Sequence, residues 1–216
     1  MIGFYNRSVI LTYIGLLSSL FGITQAAAGA QGDLRAFKVA FLCLIFSGFC
    51  DMFDGKIARH TKRSKDAMEF GIQIDSLCDL ICFGVFPAFI VICIGPKHWI
   101  KLIAAGLYVL GAVIRLGYFN VMESKRQQET TENRKYYQGL PVTTAALIYP
   151  LIFAIDNLLS SRIPVKMSPI YVIMMFITGF LFVWDIKVKK PGRKEAIVMA
   201  VIGALIVCGI LVKGYY

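Results

Sequence analysis

Seven apolar runs, each about 20 residues long, place the strongest constraint on how this chain can fold. They cover residues 9–28, 36–54, 72–94, 99–120, 141–159, 168–185 and 195–213. A helix of this length crosses the hydrocarbon core of a bilayer and satisfies its own backbone hydrogen bonds there. Hydrophobic residues make up 57% of the chain, more than a soluble domain with a polar surface contains. The sequence therefore predicts an all-α membrane helix bundle, a single domain over residues 1–216 with about seven transmembrane helices.

The basic residues indicate how this bundle is oriented. Of the 23 lysines and arginines, fifteen fall in segments on the side of the N-terminus, seven fall on the opposite side, and Arg115 lies within the fourth run. Segments rich in lysine and arginine tend to stay in the cytoplasm. We therefore expect a cytoplasmic N-terminus, which places the end of the second run and the start of the third at the cytoplasmic face. The net charge of +10 suits contact with anionic lipid or phosphate. We expect no nucleic-acid partner, because the sequence lacks a basic soluble domain.

Four aspartates lie at this predicted cytoplasmic edge, in the stretches DMFDGKIARH (51–60) and FGIQIDSLCD (70–79). Asp51 and Asp54 are three residues apart and Asp75 and Asp79 are four apart, so each pair shares one face of a helix. Because a short loop joins the two runs, they are expected to be antiparallel neighbours, and the two pairs can converge. An aspartate in the centre of a membrane helix costs about 2.5–3.5 kcal/mol, and four carboxylates also repel one another. A cation or protons must offset this charge, and clustered carboxylate oxygens suit Mg²⁺ or Mn²⁺.

Small and basic residues next to the aspartates add a second element to the pattern. Gly55 and Gly71 leave the backbone open to a ligand, and Arg59 follows Asp54 by about one and a half helical turns. Carboxylates, a divalent ion and an arginine are typical of sites that hold a pyrophosphate and stabilise phosphoryl transfer. The alternative is a solvated basic loop that only sets topology, and we favour it for the lysines and arginine at positions 62, 63 and 65.

These two stretches resemble the signature of the CDP-alcohol phosphotransferase family, DxxDGxxAR followed after a gap by GxxxDxxxD. Every fixed position is filled, by Asp51, Asp54, Gly55, Ala58, Arg59, Gly71, Asp75 and Asp79. FGIQIDSLCDLICFGVFPA, RLGYFNV in the fourth run and GLPVT before the fifth are similar to the phosphatidylserine synthase branch of that family. The resemblance covers most of residues 50–145. It departs from the family pattern in a longer gap between Arg59 and Gly71, and in Tyr118 where relatives often carry a second arginine.

The resemblance implies a six-helix family core and a mechanism at the membrane surface. Two divalent ions would lie among Asp51, Asp54, Asp75 and Asp79 and bind the pyrophosphate of CDP-diacylglycerol. The cytidine diphosphate pocket would be lined by Gly55, Ala58, Arg59 and Gly71. Asp79 would act as the general base that takes a proton from the acceptor hydroxyl before it attacks the lipid-side phosphorus and CMP leaves. Family relatives also suggest a homodimer. From this resemblance together with the charge distribution, we expect a protein of the plasma membrane of a prokaryote whose active site faces the cytoplasm.

The acceptor alcohol is harder to infer from the sequence. Arg115, inside the fourth run, either pairs with one of the aspartates or binds the carboxylate of a serine acceptor. Tyr118, Asn120 and Gln138 are further candidates for the acceptor site. Glycerol 3-phosphate or an inositol phosphate would bring a dianion and call for more basic groups, so we favour serine.

A rival function is transport of a divalent cation, since carboxylates inside a membrane also line ion pathways. That reading leaves Gly55, Ala58, Arg59 and Gly71 without a role, so the transferase is the stronger hypothesis. Two further aspartates, Asp156 and Asp185, lie near the ends of apolar runs, where we expect them to face water.

Overall fold

The computed structural model describes residues 3–4, 7–60, 64–129, 136–159, 168–189 and 192–212 as an all-α membrane helix bundle. Its α-helices are α1 (Arg7–Ala30), α2 (Leu34–His60), α3 (Lys65–Asp79), α4 (Phe86–Cys93), α5 (Trp99–Glu129), α6 (Ala145–Leu159), α7 (Ser168–Val183) and α8 (Arg193–Leu211). A π-helical segment, Leu80–Val85, makes α3 and α4 continuous, and a 3₁₀ turn, Val142–Thr144, precedes α6. Among these residues there are thus seven continuous helical rods, as the sequence predicts.

Within the described part of the chain, four helical stretches are long and apolar enough to span a membrane: 9–30, 34–55, 65–93 and 99–126. The remaining apolar helices, 142–158, 168–183 and 197–211, are shorter. Large apolar side chains point outward, among them Leu17, Phe180 and Leu205, which are 65%, 59% and 66% exposed. Such a surface is unfavourable in water and suits a lipid environment.

The bundle interior holds an aromatic group in which Phe41 stacks between Phe153 and Tyr171, with ring centroids 4.5 Å and 6.2 Å away. These side chains come from α2, α6 and α7 and are fully buried. Aromatic rings bury large areas and prefer offset or tilted contacts, so this group ties three helices together at the side of the bundle away from the aspartates.

The π-helical segment between α3 and α4 has a local cause. Pro87 lacks the N–H that would bond to the carbonyl of Phe83 in a regular α-helix. The buried Tyr108 of α5 donates its hydroxyl to that carbonyl at 2.6 Å, and the cap N–H of Phe86 reaches Ile81. Single π turns of this kind are often found beside functional sites, and this one begins directly after Asp79.

A two-stranded antiparallel ribbon joins the α5–α6 connection to the α7–α8 connection. Strand β1 (Tyr136–Gln138) pairs with β2 (Lys187–Lys189), with Tyr137 opposite Val188. No alternating pattern in the sequence predicts these three-residue strands. They place both connections on the same side of the bundle.

The expected exposure of Asp156 is wrong, whereas that of Asp185 is confirmed. Asp156 is fully buried in α6. The next residue, Asn157, donates to the carbonyls of Gly209 and Ile210 at 2.8 Å and 3.3 Å, and so holds α8 against this part of α6. The packing of α8 therefore covers the C-terminal part of α6, which we expected from the sequence to face water.

Candidate active site

Three carboxylates from two helices converge at one end of the bundle. Asp51 and Asp54 come from the part of α2 near its C-terminal end, and Asp75 comes from α3. One oxygen from each lies within 4.8 Å of the others, and Asp54 is only 6% exposed. Ser64 caps the start of α3 by accepting a hydrogen bond from the N–H of Ala67 at 3.2 Å, and Asp75 lies near the other end of this helix.

The donor set fits a hard divalent cation. Two oxygens that both bind Mg²⁺ at about 2.1 Å lie at most about 4.2 Å apart, so small rotations of these carboxylates would complete such a site. Oxygen-only ligation suits Mg²⁺ or Mn²⁺ better than zinc. Placing three carboxylates this close without a cation or protons is costly, which favours cation binding.

Asp79 lies one turn beyond Asp75 on α3 and extends the cluster. It is close enough to Asp51, Asp54 and Asp75 to experience their charge. It is not one of the three residues whose oxygens meet within 4.8 Å. The structure therefore brings all four aspartates together and sets Asp79 slightly apart.

The residues of the predicted nucleotide pocket lie on α2 and α3 and differ in how exposed they are. Gly55 is exposed, and a Cβ added there would meet no atom within 4 Å, so there is room for a ligand beside Asp54. Gly71 is half-buried in α3, one turn before Asp75. Ala58 and Arg59 belong to helix α2, but their side chains lie outside the described part of the chain.

A cavity of about 250 Å³ lies between the middle of α5, the C-terminal end of α7 and the strand β1. Arg115, Tyr118 and Gln138, three of the four predicted acceptor residues, line it together with Asp185. The hydroxyl of Tyr118 donates to the side-chain oxygen of Gln138 at 2.9 Å. Arg115 is 6% exposed, its Nε donates to the carbonyl of Leu140 at 3.3 Å, and its guanidinium lies 5.9 Å from the ring centre of Phe119.

Gly139 shapes the wall of this cavity. Its φ of +73° lies in the left-handed region, and a Cβ there would approach the carbonyl oxygen of Phe182 to 2.7 Å and Nε of Arg115 to 3.3 Å. Only glycine fits without strain. This close approach brings the GLPVT segment against the end of α7 and beside Arg115.

Asn120, the fourth predicted acceptor residue, does not line the cavity. It faces α3, where its oxygen accepts from the hydroxyl of Ser76 at 2.6 Å and its nitrogen donates to Gln73 at 3.1 Å. Asn120 is five positions beyond Arg115. On an α-helix this offset is about 7.5 Å along the axis and more than a third of a turn around it, so the two side chains point in different directions. Asn120 thus links α5 to the helix that carries Asp75 and Asp79.

The comparison with protein families agrees with this arrangement. The family model for CDP-alcohol phosphatidyltransferase matches residues 5–184. This chain belongs to that family.

Curated relatives of the chain come from all three domains of life. It is 32% identical over 161 residues to the CDP-diacylglycerol–serine O-phosphatidyltransferase of Saccharomyces cerevisiae, which covers 68% of this chain and 57% of the yeast protein. The protein of the same name from Methanocaldococcus jannaschii is 28% identical over 202 residues, 93% of this chain and 84% of the relative. That from Helicobacter pylori is 31% identical, over 66% of this chain and 59% of the relative. This chain therefore spans less than two thirds of two of these relatives. No solved structure matches it.

Two residues that contact the site or line the cavity are not part of the signature and were not predicted from the sequence. Thr12 of α1 donates its hydroxyl to Asp54 at 2.8 Å, and Asp185 lines the cavity beside Arg115. The stripe of small and polar residues at positions 12, 15 and 19 would have indicated a close helix contact, but not its register. For Asp185 the only signal is a charge at the end of an apolar run.

Proposed function

We propose that this protein transfers the phosphatidyl group of CDP-diacylglycerol to the hydroxyl of L-serine, giving phosphatidylserine and CMP. The observation that carries the proposal is the convergence of Asp51, Asp54 and Asp75, with Asp79 beside them and open space at Gly55. Membership in the family supports the transferase chemistry, and the names of the relatives support serine as the acceptor.

Asp51, Asp54, Asp75 and Asp79 would hold two divalent ions, Mg²⁺ or Mn²⁺. When bound, these ions neutralise the pyrophosphate and stabilise the negative charge that develops on the leaving CMP. The small residues Gly55, Ala58 and Gly71 give the nucleotide room to approach the helices, and Arg59 pairs with phosphate.

Asp79 is the general base. Its carboxylate accepts the proton of the serine hydroxyl, whose oxygen then forms a bond to the lipid-side phosphorus. The bond between that phosphorus and the bridging oxygen of the pyrophosphate breaks, and the electron pair leaves with CMP. The position of Asp79, one turn beyond Asp75 and outside the group of three oxygens that meet within 4.8 Å, supports this role.

The cavity between α5 and α7 suits a zwitterionic acceptor. Arg115 is a buried cation that can receive the carboxylate of serine, and Asp185 on the same cavity can receive its ammonium group. A phosphorylated acceptor would place two negative charges near Asp185, which disfavours it. Of the other lining groups, Tyr118 and Gln138 supply neutral hydrogen-bonding partners, and Asn120 holds α5 to α3 behind the site.

The apolar helices and the basic segments also support a setting for this reaction. We propose that the protein lies in the plasma membrane of a prokaryote with its site facing the cytoplasm. By analogy with the family, we also propose that it forms a homodimer. Light scattering of the detergent-solubilised protein, corrected for bound detergent, tests the dimer directly. A mass of a single chain of 24.1 kDa would contradict it.

The experiment that tests the function measures CMP release by the purified protein from CDP-diacylglycerol, with each acceptor offered singly. CMP should appear with serine and only when Mg²⁺ or Mn²⁺ is present. Arg115→Ala and Asp185→Asn should each raise the KM for serine by about tenfold or more, because each removes a charged hydrogen bond to the acceptor. A preference for glycerol 3-phosphate or an inositol phosphate would reject serine and keep the family chemistry. Metal flux into proteoliposomes without CMP release would instead favour a divalent-cation transporter.

A further inference from the structure

The first helix contributes a side chain to the aspartate group, although the signature lies entirely on α2 and α3. The hydroxyl of Thr12 donates to Oδ2 of Asp54 at 2.8 Å, across 42 residues of sequence. Asp54 is only 6% exposed, so solvent has little access to its carboxylate.

The packing of α1 on α2 fixes this contact. Ser19 and Ser47 are hydrogen-bonded at 2.9 Å, and Ser47 also donates to the carbonyl of Gly15 at 2.9 Å. A Cβ added to Gly15 would lie 3.3 Å from that of Cys50, so the two helices are in close contact there. Because the two helices are antiparallel, Thr12, one turn before Gly15 on α1, lies against Asp54, one turn after Cys50 on α2.

A hydrogen bond to the outer oxygen of a ligating carboxylate does two things. It selects one rotamer of the aspartate, and it satisfies an oxygen that would otherwise be buried without a partner. Partners of this kind orient metal ligands, and their removal typically lowers metal affinity about 10- to 100-fold. Thr12 is β-branched, so its own χ1 is restricted and the donor position is well defined.

We propose that Thr12 is a positioning residue that holds Asp54 in the orientation needed for divalent-cation binding. The inference rests on the proposed function, because it takes Asp54 to be a metal ligand. The alternative is that the bond only packs α1 on α2, as the bond between Ser19 and Ser47 does.

Two substitutions separate these roles. Thr12→Val keeps the shape of the side chain and removes the hydroxyl, whereas Thr12→Ser keeps the hydroxyl. Ser19→Ala is the matched control, since it removes a buried hydrogen bond between the same two helices at a distance from the aspartates. Binding of Mn²⁺ is measured by electron paramagnetic resonance on the purified full-length protein without substrate, and melting temperature is recorded for each variant.

Thr12→Val should weaken Mn²⁺ binding about 10- to 100-fold, and it should raise the Mn²⁺ concentration needed for half-maximal CMP release by a similar factor. Thr12→Ser should retain most of the native affinity, and Ser19→Ala should bind Mn²⁺ as the native protein does even if it melts earlier. Native affinity in Thr12→Val, or an equal loss in Ser19→Ala, would overturn the positioning role while leaving the transferase proposal intact. A native protein that releases no CMP and binds no Mn²⁺ would overturn both.

Discussion

At the scale of single residues, the aspartate group shows what spacing along a helix can reveal. Separations of three and four residues put Asp51 with Asp54 and Asp75 with Asp79 on common faces, and the structure brings these faces together. The proposed division of roles among them is based on position, since the oxygens of Asp51, Asp54 and Asp75 meet within 4.8 Å and Asp79 is not part of that group.

We expect Asn at position 51, 54 or 75 to lower CMP release by about two orders of magnitude or more, because each change keeps the side-chain size and removes a charged ligand. Mn²⁺ binding should weaken in parallel. Asp66→Asn is the matched control, since Asp66 is an exposed aspartate in the first turn of the same helix as Asp75. Near-native turnover by any of the three variants at ordinary Mg²⁺ would contradict the assignment of that residue as a ligand.

A base and a ligand differ in what their loss does, which gives a separate prediction for Asp79. Asp79→Asn should abolish transfer while CDP-diacylglycerol still binds in the presence of metal, because proton removal is lost and the other three carboxylates remain. Binding is measured with labelled CDP-diacylglycerol and Mn²⁺ but no acceptor. Asp75→Asn serves as the comparison and should lose binding as well. If Asp79→Asn also stops binding, Asp79 is mainly a ligand.

Residue spacing does not predict which groups from elsewhere reach the site. Thr12 contacts Asp54 through the register of α1 on α2, which depends on how Gly15, Ser47 and Cys50 pack. Asn120 lies in the same short motif as Arg115 but faces α3 instead of the cavity. Hydropathy carries no information on either point, because both depend on contacts between distant segments.

At the scale of elements, the helix count could be predicted from the sequence, and the irregular segments could not. A run of apolar residues marks a helix whether or not it contains a π turn, so the segment Leu80–Val85 is visible only through its contacts with α5. The ribbon of β1 and β2 likewise arises from pairing between two short segments 49 or more residues apart. Backbone hydrogen bonds that connect distant segments leave no periodic trace in the sequence.

The close contact between α5 and α7 provides a test at this scale. A Cβ added to Gly111 would lie 2.6 Å from the carbonyl oxygen of Gly179, so Gly111→Ala should push the helices apart at a cost of about 1–3 kcal/mol. We expect its melting temperature in detergent to fall by several degrees. Gly106→Ala in the same helix is the control: a Cβ there meets nothing within 4 Å, and alanine favours a helix by about 1 kcal/mol over glycine. If Gly111→Ala melted at the same temperature as the native protein, α5 and α7 would be less closely packed at Gly111 than in this structure.

At the scale of the whole molecule, the bundle separates an apolar surface from a polar end. Outward-facing Leu17, Phe180 and Leu205 suit lipid, while the aspartates and the Arg115 cavity lie toward the end where α2 meets α3 and where β1 pairs with β2. A lipid-linked nucleotide needs both environments at once, since its acyl chains stay in the bilayer and its pyrophosphate requires charged partners. This arrangement explains why carboxylates lie at one end of an otherwise apolar helix bundle.

The last prediction concerns the orientation of this bundle. The ribbon between β1 and β2 requires the α5–α6 and α7–α8 connections to lie on one side of the membrane, and the excess of basic residues predicts that this side is the cytoplasm. Lys125→Cys and Lys187→Cys both replace exposed residues near these connections, and each should react with a membrane-impermeant maleimide only after the cells are permeabilised. His98→Cys, exposed between α4 and α5, should react in intact cells. The unaltered protein gives the background from its own six cysteines. Reaction of Lys125→Cys and Lys187→Cys from opposite sides would contradict the ribbon, and reaction of both in intact cells would reverse the orientation.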